Sequence, residues 1–303
     1  MPFPPPARVV AVVGPTAAGK SALSIALAHE LDGEVVNADS MQLYRGMDIG
    51  TAKLSVAERE GVPHHLLDIW DVTEPAAVAE YQALARAAID DIMARGRVPL
   101  LVGGSGLYVR AVLEEFSFPG TDPAVRARLE DELAVVGIPP LYERLRSLDP
   151  AAAASILPSN GRRIVRALEV IELTGQPFTA SLPSPVPYYP SVQIGVDRAV
   201  GELDERIALR VDLMWRAGLV DEVRRLLPLG LRDGRTASRA LGYQQAIAEI
   251  DGSMSTAEAK DDTVRGTRRF VRRQRSWFRR DPAIHWLDGA SDTLVADALA
   301  LTR

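Results

Sequence analysis

The segment GPTAAGKS, residues 14–21, has the residue types and spacing of a phosphate-binding loop. Its glycines allow a tight turn in which backbone N–H groups point inward at an anion. Lys20 supplies a positive charge, and the hydroxyl of Ser21 can ligate Mg²⁺. An ordinary strand–turn–helix junction would not need a lysine and a serine together after the glycine. The segment therefore predicts a site for a phosphorylated ligand, and ATP is the usual ligand of such a loop.

A second polar segment, NADSMQLYRGMDIGTAK at residues 37–53, places Asp39 directly after a predicted strand that begins at Glu34. In an open parallel sheet the carboxyl ends of the strands form the ligand-binding edge. We therefore expect Asp39 to lie beside the phosphate loop, where its carboxylate can ligate Mg²⁺, directly or through water, or accept a proton. The alternative is that Asp39 only caps a helix or turn.

A second glycine-rich turn, VGGSGLY at residues 102–108, also follows a predicted strand. It would bring the hydroxyl of Ser105 to the same edge of the sheet. Glycines after a strand are common turn formers, so this turn alone does not decide between a functional and a structural role.

The segment RGTRRFVRRQRSWFRR, residues 265–280, contains eight arginines and no acid, although the chain has a net charge of −5. Removing its +8 leaves −13 for the rest of the chain, so the positive charge is local. Arginine suits bidentate contact with phosphate. A solvated face paired with acids is the alternative, and the composition favours a nucleic-acid contact. Helical spacing relates Arg268, Arg272, Arg275 and Arg279, while Phe270, Val271, Trp277 and Phe278 form an apolar stripe on another face.

Predicted strands and helices alternate along the part of the chain that carries Lys20, Asp39 and Ser105. The apolar run Val9–Val13 predicts a buried strand, and Lys20–Leu31 has helical spacing. A strand from Glu34, a helix over Val78–Ala94 and a strand over residues 98–102 follow. This alternation predicts an α/β fold with a parallel sheet covered on both faces.

The middle of the chain has a different pattern. Residues 118–174 show helical periodicity and no convincing strand, and the proline-rich residues 177–190 predict a loop or linker. Strand character returns at residues 192–196 and 284–287, with helices between them and at the end. We therefore predict a core formed by residues 7–116 and 192–303, interrupted by a helical domain at residues 117–191.

The composition restricts the class of protein. Of the 303 residues, 47% are hydrophobic and 25% charged, as in ordinary globular proteins. The absence of cysteine excludes disulfides and thiolate metal sites. The start of the chain lacks the features of a secretory signal, and no apolar run approaches the roughly 20 residues that cross a bilayer. We expect a cytoplasmic protein without membrane contact.

Seven segments, taken in order, carry a family resemblance. They are GPTAAGKS, NADSMQLYRGMDIGTAK, PHHLLDI, VPLLVGGSGLY, RRIVRALEVIELTG, ALGYQQAI and RRQRSWFRR. This ordered set resembles the tRNA dimethylallyltransferase family, also called tRNA isopentenyltransferases. The resemblance implies a P-loop NTPase-like core with an inserted all-helical domain. It also implies Mg²⁺-dependent transfer of a dimethylallyl group from dimethylallyl diphosphate to the exocyclic amine of the adenosine 3′-adjacent to the tRNA anticodon.

The resemblance also implies roles for individual residues. Asp39 is expected to be the general base that orients the amine, with Ser105 near the reacting centre, and Ser21 is expected to contact Mg²⁺. Arg210 matches a family arginine that binds the donor diphosphate. The expected diphosphate-binding residues are Gly14, Pro15, Thr16, Ala17, Ala18, Gly19, Lys20, Ser21 and Arg210.

The tRNA anticodon stem-loop is the partner that the resemblance implies, bound by one chain acting as a monomer. The expected contacts are Asp39, Ser40, Met41, Gln42, Ser105, Arg126, Arg162, Arg163, Ile164, Val165, Arg166, Arg239, Gly242, Tyr243, Gln244, Arg272, Arg273, Gln274, Arg275, Trp277 and Arg279. This chain has Ser105 where many members have threonine, which keeps the hydroxyl. It has Gln244 where arginine is frequent, which removes one potential phosphate contact.

Two other functions use parts of the same pattern. A small-molecule kinase would bind ATP at the loop and use Asp39 as base, but it leaves the arginine-rich segment unexplained. A nucleotide-regulated RNA-binding protein would explain the arginines but give Asp39 and Ser105 no particular role.

Overall fold

The computed structural model describes residues 8–115, 118–178 and 186–303. Within them lies a six-stranded, wholly parallel sheet with the strand order β3-β2-β4-β1-β5-β6. The parallel α/β architecture expected from the sequence is therefore confirmed. The two-residue strand β3 was not expected, because its two histidines carry no apolar pattern. The strands are β1 (Val9–Val13), β2 (Gly33–Asn37), β3 (His64–His65), β4 (Val98–Gly103), β5 (Ser191–Asp197) and β6 (Ile284–Asp288).

Helices cover both faces of this sheet. Strand β1 shows this directly, since Val9, Ala11 and Val13 pack into one hydrophobic cluster whereas Val10 and Val12 pack into another. A strand buried on both faces is apolar at every position, which is why VVAVV has no alternation. The helices of the core are α1 (Lys20–Leu31), α2 (Val78–Ala94), α3 (Gly106–Leu113), α8 (Val200–Arg216), α9 (Leu219–Leu226), α10 (Tyr243–Ile250), α11 (Thr256–Phe278) and α12 (Leu294–Leu301), and those of the middle segment are α4 (Pro123–Val136), α5 (Ile138–Leu148), α6 (Pro150–Ser155) and α7 (Gly161–Thr174).

The chain divides into two compact units. One contains the sheet and comprises the chain up to Glu114 together with Pro187–Arg303; the other is Glu115–Val186. The second unit has its own hydrophobic cluster, in which Leu129, Leu141 and Ile164 are buried. The sequence placed the return to the core at residue 192, whereas backbone contact between Glu114 and Pro187 brings it back earlier. Part of the predicted linker, residues 179–185, and the domain edges at residues 116–117 lie outside the described residues, as do residues 1–7.

A buried carboxylate stabilises the end of the sheet at which β2 begins. Glu34 is 2% exposed, and its side chain accepts hydrogen bonds from Arg95 and Arg97 and contacts His65. The hydrogen bond from Arg95 is the largest influence; together with His65 and Arg97 it outweighs the opposing effect of burial and lowers the pKa of Glu34 to about 2. Because this pKa is depressed in the folded state, its stabilising contribution is complete above about pH 4.5 and is lost as the pH falls towards 2.

We expect Glu34→Gln to lower the free energy of unfolding near pH 7 by about 2 kcal/mol, because Arg95 and Arg97 lose their negatively charged partner and one of its two acceptor oxygens. The melting temperature should fall by about 4 °C, and its decline between pH 5 and pH 2 should become shallower. Scanning calorimetry across this pH range measures both effects. Asp71→Asn, at an exposed acid paired with Arg45, is the control and should change little. Equal pH profiles for Glu34→Gln and the parent chain would contradict this role.

Among the described residues, no helix is long and apolar enough to cross a membrane.

Candidate active site

The phosphate loop joins β1 to α1, as the sequence predicts. Its first glycine, Gly14, has φ +134° and lies so close to β5 that a Cβ there would be 2.2 Å from the carbonyl oxygen of Val196. Only glycine fits both the conformation and the space. Helix α1 begins at Lys20 without a side-chain cap, so the N–H groups of its first turn remain available to an anion.

Side chains from elsewhere in the core fix the shape of this loop. Two arginines bind its carbonyl groups: Arg206 Nε donates to Ala17 O at 2.8 Å, and Arg198 Nε donates to Ala18 O at 2.9 Å. Lys20 Nζ donates to Pro15 O at 2.8 Å within the loop itself. Arg198 and Arg206 carry no recognisable motif, because local sequence does not specify which carbonyl a distant arginine reaches.

Positive charge is concentrated beside the loop. The pKa of Lys20 is lowered to about 8, chiefly by burial. The carboxylate of Asp39 opposes this shift, and the charge of Arg210 adds to it. Burial also lowers the pKa of Arg210, while Asp39 raises it. Arg210 Nη2 donates to Thr51 O at 3.3 Å. Two cations, Lys20 and Arg210, and one carboxylate, Asp39, therefore share this site. A bound anion would balance the excess positive charge.

Asp39 and Ser105 lie at the carboxyl ends of β2 and β4, as expected. Asp39 Oδ1 accepts from the backbone N–H of Met41 at 3.0 Å, so the carboxylate also shapes its own turn. Ser105 Oγ accepts from the N–H of Ser40 at 3.2 Å and lies 3.3 Å from the hydroxyl of Ser40. Through Ser40, the two predicted catalytic residues, Asp39 and Ser105, therefore lie in one polar cluster.

Two cavities are lined in part by Asp39, both within the sheet-containing unit. The first, of about 730 Å³, is lined by Lys20, Ser21 and other residues of the phosphate loop. The second, of about 440 Å³, is lined by Ser105 and by residues of α8, α10 and α11. The two cavities share Thr16, Asp39, Thr51 and Arg210 as lining residues. Asp39 and Arg210 thus line both cavities, which suits a reaction between two separately bound molecules.

The loop that carries Thr51 is held by a buried acid that sequence inspection missed. Glu222, on α9, is 3% exposed and accepts hydrogen bonds from the backbone N–H groups of Asp48, Ile49 and Gly50. The hydroxyl of Tyr243 donates to the same carboxylate at 2.5 Å. Glu222 therefore positions the segment whose Thr51 carbonyl receives Arg210, although it touches neither cavity itself.

The sequence of the chain matches a known protein family. A sequence model of the family described as IPP transferase matches residues 42–281. The chain belongs to the IPP transferase family. A protein of Salinispora arenicola called tRNA dimethylallyltransferase is 77% identical, over 97% of this chain and 86% of its own length. A protein of Streptomyces coelicolor with the same name is 67% identical, over 99% and 95%.

Solved structures of the IPP transferase family share the fold. A tRNA isopentenylpyrophosphate transferase of Bacillus halodurans is 42% identical and aligns with a TM-score of 0.73, over 97% of this chain and 95% of that one. A eukaryotic dimethylallyltransferase described as acting on tRNA is 25% identical, with a TM-score of 0.84 over 97% of this chain and 77% of that one. The P-loop NTPase-like core inferred from the sequence is the fold of this family.

Several residues that match the family's tRNA contacts are exposed, and three of them line the second cavity. Arg239, Gln244 and Arg273 line it directly, and Arg272 lies on the exposed face of α11. Among the described residues, Arg272 forms no ion pair. These side chains are available to a nucleic acid.

Other predicted tRNA contacts near or on α10 and α11 are buried or bonded to other residues of the chain. Tyr243 is fully buried and Gln274 is 6% exposed, and the side chains of both form hydrogen bonds within the chain. Arg275 Nε and Arg279 Nη2 both bind Asp197, at 2.9 and 3.0 Å, and Arg275 is the more buried of the two. Their charge is partly neutralised, because one carboxylate serves both arginines. Gly242, also buried, is the N-cap of α10, while Trp277 is 36% exposed and lies against Gly106.

The helical unit also buries some of the predicted contacts. Ile164 and Val165 are at most 1% exposed, and their side chains belong to its hydrophobic cluster. Arg126 and Arg166 both donate to Glu169, which is fully buried. Burial alone would raise the pKa of Glu169, but the two arginines outweigh it and lower that pKa. The exposed Arg162 and Arg163 remain at the surface of this unit.

Proposed function

We propose that this chain transfers a dimethylallyl group from dimethylallyl diphosphate to the exocyclic amine of the adenosine 3′-adjacent to the tRNA anticodon, releasing diphosphate. The observation that carries the proposal is the pair of cavities that share Asp39 and Arg210. One cavity contains a phosphate loop, and the other opens among exposed arginines. The relatives named as tRNA dimethylallyltransferases support the same assignment.

The donor diphosphate fits the first cavity. Backbone N–H groups of the phosphate loop and of the first turn of α1 would bind its oxygens, with Lys20 and Arg210 supplying charge. The allylic carbon–oxygen bond breaks, and its electron pair leaves with the diphosphate. Because the allylic carbon delocalises positive charge, stabilising the leaving group is expected to supply much of the rate acceleration.

The acceptor amine would enter from the second cavity. Its lone pair forms the new carbon–nitrogen bond to the first carbon of the prenyl group. The nitrogen then carries a positive charge and an acidic proton, which Asp39 accepts. Before that step Asp39 accepts a hydrogen bond from the amine and so orients it, which makes positioning a large part of its role. Ser40, Met41 and Gln42 follow Asp39 directly, and Ser105 contacts Ser40; these four residues are the proposed contacts to the adenosine.

Mg²⁺ is the proposed cofactor, and the residues at the loop fit it. Ser21 is exposed at the start of α1 and lines the same cavity as Asp39. A hydroxyl, a carboxylate, diphosphate oxygens and water form the oxygen-rich ligand set that Mg²⁺ prefers. Within the described residues no cluster of three or more histidine, aspartate or glutamate side chains forms a protein-only metal site. The ion would therefore bind together with the diphosphate, whose charge it would neutralise.

The free enzyme should lose affinity for the donor in alkaline solution. Since the pKa of Lys20 is lowered to about 8, its ammonium group loses its proton as the pH rises through that value. We expect kcat/KM for dimethylallyl diphosphate to fall above about pH 8. Lys20→Arg keeps the charge at all these pH values, so its kcat/KM should be lower at neutral pH but lack this decline. Steady-state kinetics between pH 6 and pH 10 measure kcat/KM for both proteins. If kcat/KM declined above pH 8 in Lys20→Arg as well, the decline would belong to a group other than Lys20.

Exposed arginines of α11 should account for part of the tRNA affinity. We expect the double substitution Arg272→Ala and Arg273→Ala to weaken tRNA binding and to reduce the slope of log K against log [salt] by about one for each lost phosphate contact. Filter binding at several salt concentrations measures the slope. Arg224→Ala, at an exposed arginine paired with Asp221, is the control and should not change it. An unchanged slope in the double variant would mean that Arg272 and Arg273 face solvent and do not contact tRNA phosphates.

Analysis of the modified nucleoside tests the proposal itself. tRNA incubated with the purified protein, Mg²⁺ and dimethylallyl diphosphate is digested to nucleosides and examined by mass spectrometry. We expect one prenylated adenosine per tRNA, next to the anticodon. Prenylation at another base would contradict the acceptor assignment. We also propose that one chain is the functional unit, since one chain lines both cavities, and light scattering in solution would test this.

A further inference from the structure

Gln274 connects the phosphate loop to the turn that carries Ser105. Its side-chain oxygen accepts a hydrogen bond from the backbone N–H of Thr16 at 2.9 Å. Its side-chain nitrogen donates to the carbonyl oxygen of Gly104, also at 2.9 Å. The partners are 258 and 170 residues away along the chain. One amide on α11 therefore bridges the two loops that flank the reacting centre.

The geometry requires an amide at this position. The N–H of Thr16 needs an acceptor and the carbonyl of Gly104 needs a donor, and an uncharged carboxamide supplies one of each. The side chain is 6% exposed, so water cannot easily replace either bond. The fit is also tight, since a Cβ on Gly104 would lie 2.4 Å from the nitrogen of Gln274.

The bridge joins the two loops that border the proposed substrate sites. Thr16 belongs to the loop that would hold the donor, and Thr16 also lines both cavities. Gly104 immediately precedes Ser105, whose hydroxyl receives the N–H of Ser40 beside Asp39. A shift of either loop would change the distance between the donor carbon and the acceptor amine. Misplacement by about 1 Å can reduce a rate by up to about 10²-fold.

We propose that Gln274 is a positioning residue that fixes the donor loop relative to the Ser105 turn, so that the two substrates meet in reactive geometry. This inference rests on the proposed prenyl transfer. It assigns Gln274 a role distinct from tRNA contact, although neighbouring arginines on α11 face solvent. Its loss should therefore lower the rate of the chemical step and leave tRNA affinity nearly unchanged.

Gln274→Glu is the most informative variant, because its effect depends on pH. The ionised carboxylate can accept from Thr16 but cannot donate to Gly104, whereas the protonated acid has one donor and one acceptor, like the amide. Burial should raise the pKa of the introduced acid. We expect the single-turnover rate relative to the parent chain to be reduced about tenfold or more at pH 8 and to recover towards 1 near pH 5.5. Taking the ratio at each pH cancels the ionisations of Lys20 and Asp39, which both proteins contain.

Three further measurements complete the test. Gln274→Met removes both bonds without adding charge and should lower the single-turnover rate at every pH, with tRNA dissociation constants within about twofold of the parent. Ser276→Ala, at an exposed position on the same helix, should match the parent throughout. Melting curves give the folded fraction, to which all rates are normalised. If Gln274→Met does not fold, the pH-dependent recovery of Gln274→Glu still decides.

Equal rates in the parent and Gln274→Glu at all pH values would overturn the inference while leaving prenyl transfer intact. A loss of tRNA affinity with an unchanged single-turnover rate would overturn it too, since Gln274 would then act on binding. Absence of prenyl transfer in the parent chain would instead overturn the proposed function. The two failures are therefore distinguishable.

Discussion

Replacing Asp39 by alanine is expected to reduce turnover by about 10²–10⁴-fold, the usual contribution of a positioned general acid or base. The reason is that Asp39 is the carboxylate that lines both cavities and interacts electrostatically with Lys20 and Arg210. Affinity for tRNA should change far less, because many other contacts would hold the anticodon stem-loop. Single-turnover rates and equilibrium binding, measured on the same preparations, separate the two effects.

Asp39→Asn sharpens this prediction. Its amide oxygen can still accept from the backbone N–H of Met41 and so preserve the turn that Asp39 makes, but the amide cannot take a proton. We expect Asp39→Asn to be nearly as slow as Asp39→Ala. Asp221→Ala, at an exposed acid paired with Arg224, is the control and should retain full activity. Turnover near that of the parent chain, or loss of binding alone, would contradict the catalytic role.

Replacing Arg210 by alanine is expected to reduce kcat/KM for the donor by about 10²–10³-fold, as for the loss of one group that stabilises developing charge. Arg210 is one of the two cations that share the site with Asp39, and its pKa is lowered by burial, so its charge is poorly screened by water. Because negative charge on the diphosphate builds as the carbon–oxygen bond breaks, kcat should fall as well as donor affinity. Steady-state and single-turnover kinetics with varied dimethylallyl diphosphate measure the two contributions.

A control is available on the same helix. Arg216 is exposed and pairs with Asp212, so Arg216→Ala should leave donor kinetics unchanged. Binding of tRNA should be similar in Arg210→Ala and in the parent chain. If Arg210→Ala raised only KM, Arg210 would bind the donor without stabilising the leaving group. If it changed neither parameter, the diphosphate would bind elsewhere.

The sequence predicted the elements that have a strong local pattern. Val9–Val13 is continuously apolar because β1 is buried on both faces, and helix α2 has the bounds Val78–Ala94 that its periodicity indicated. Strand β3 was not predicted, because a strand of two histidines is too short to show an apolar or alternating pattern. The division at Glu114 and Pro187 depends on a backbone contact between distant residues, which no local signal specifies.

The candidate site divides in the same way. The phosphate loop was predictable because its conformation requires particular residues, such as glycine at position 14. Glu222 and Gln274 were not, because their partners are hydrogen-bonding backbone groups far along the chain. The family resemblance covers residues 162–166 as one stretch, but successive residues of a helix point in different directions, so Ile164 and Val165 are buried while Arg162 and Arg163 are exposed. Local pattern therefore predicts loops and elements better than it predicts which side chains meet.

Prenyl transfer can be followed directly in a mixture of purified protein, Mg²⁺, radiolabelled dimethylallyl diphosphate and tRNA. We expect label to become covalently attached to the adenosine 3′-adjacent to the anticodon, with release of one diphosphate for each group transferred. Asp39→Ala should abolish most of this incorporation. An absence of label on tRNA, together with ATP hydrolysis or phosphorylation of a small molecule by the same preparation, would contradict this expectation.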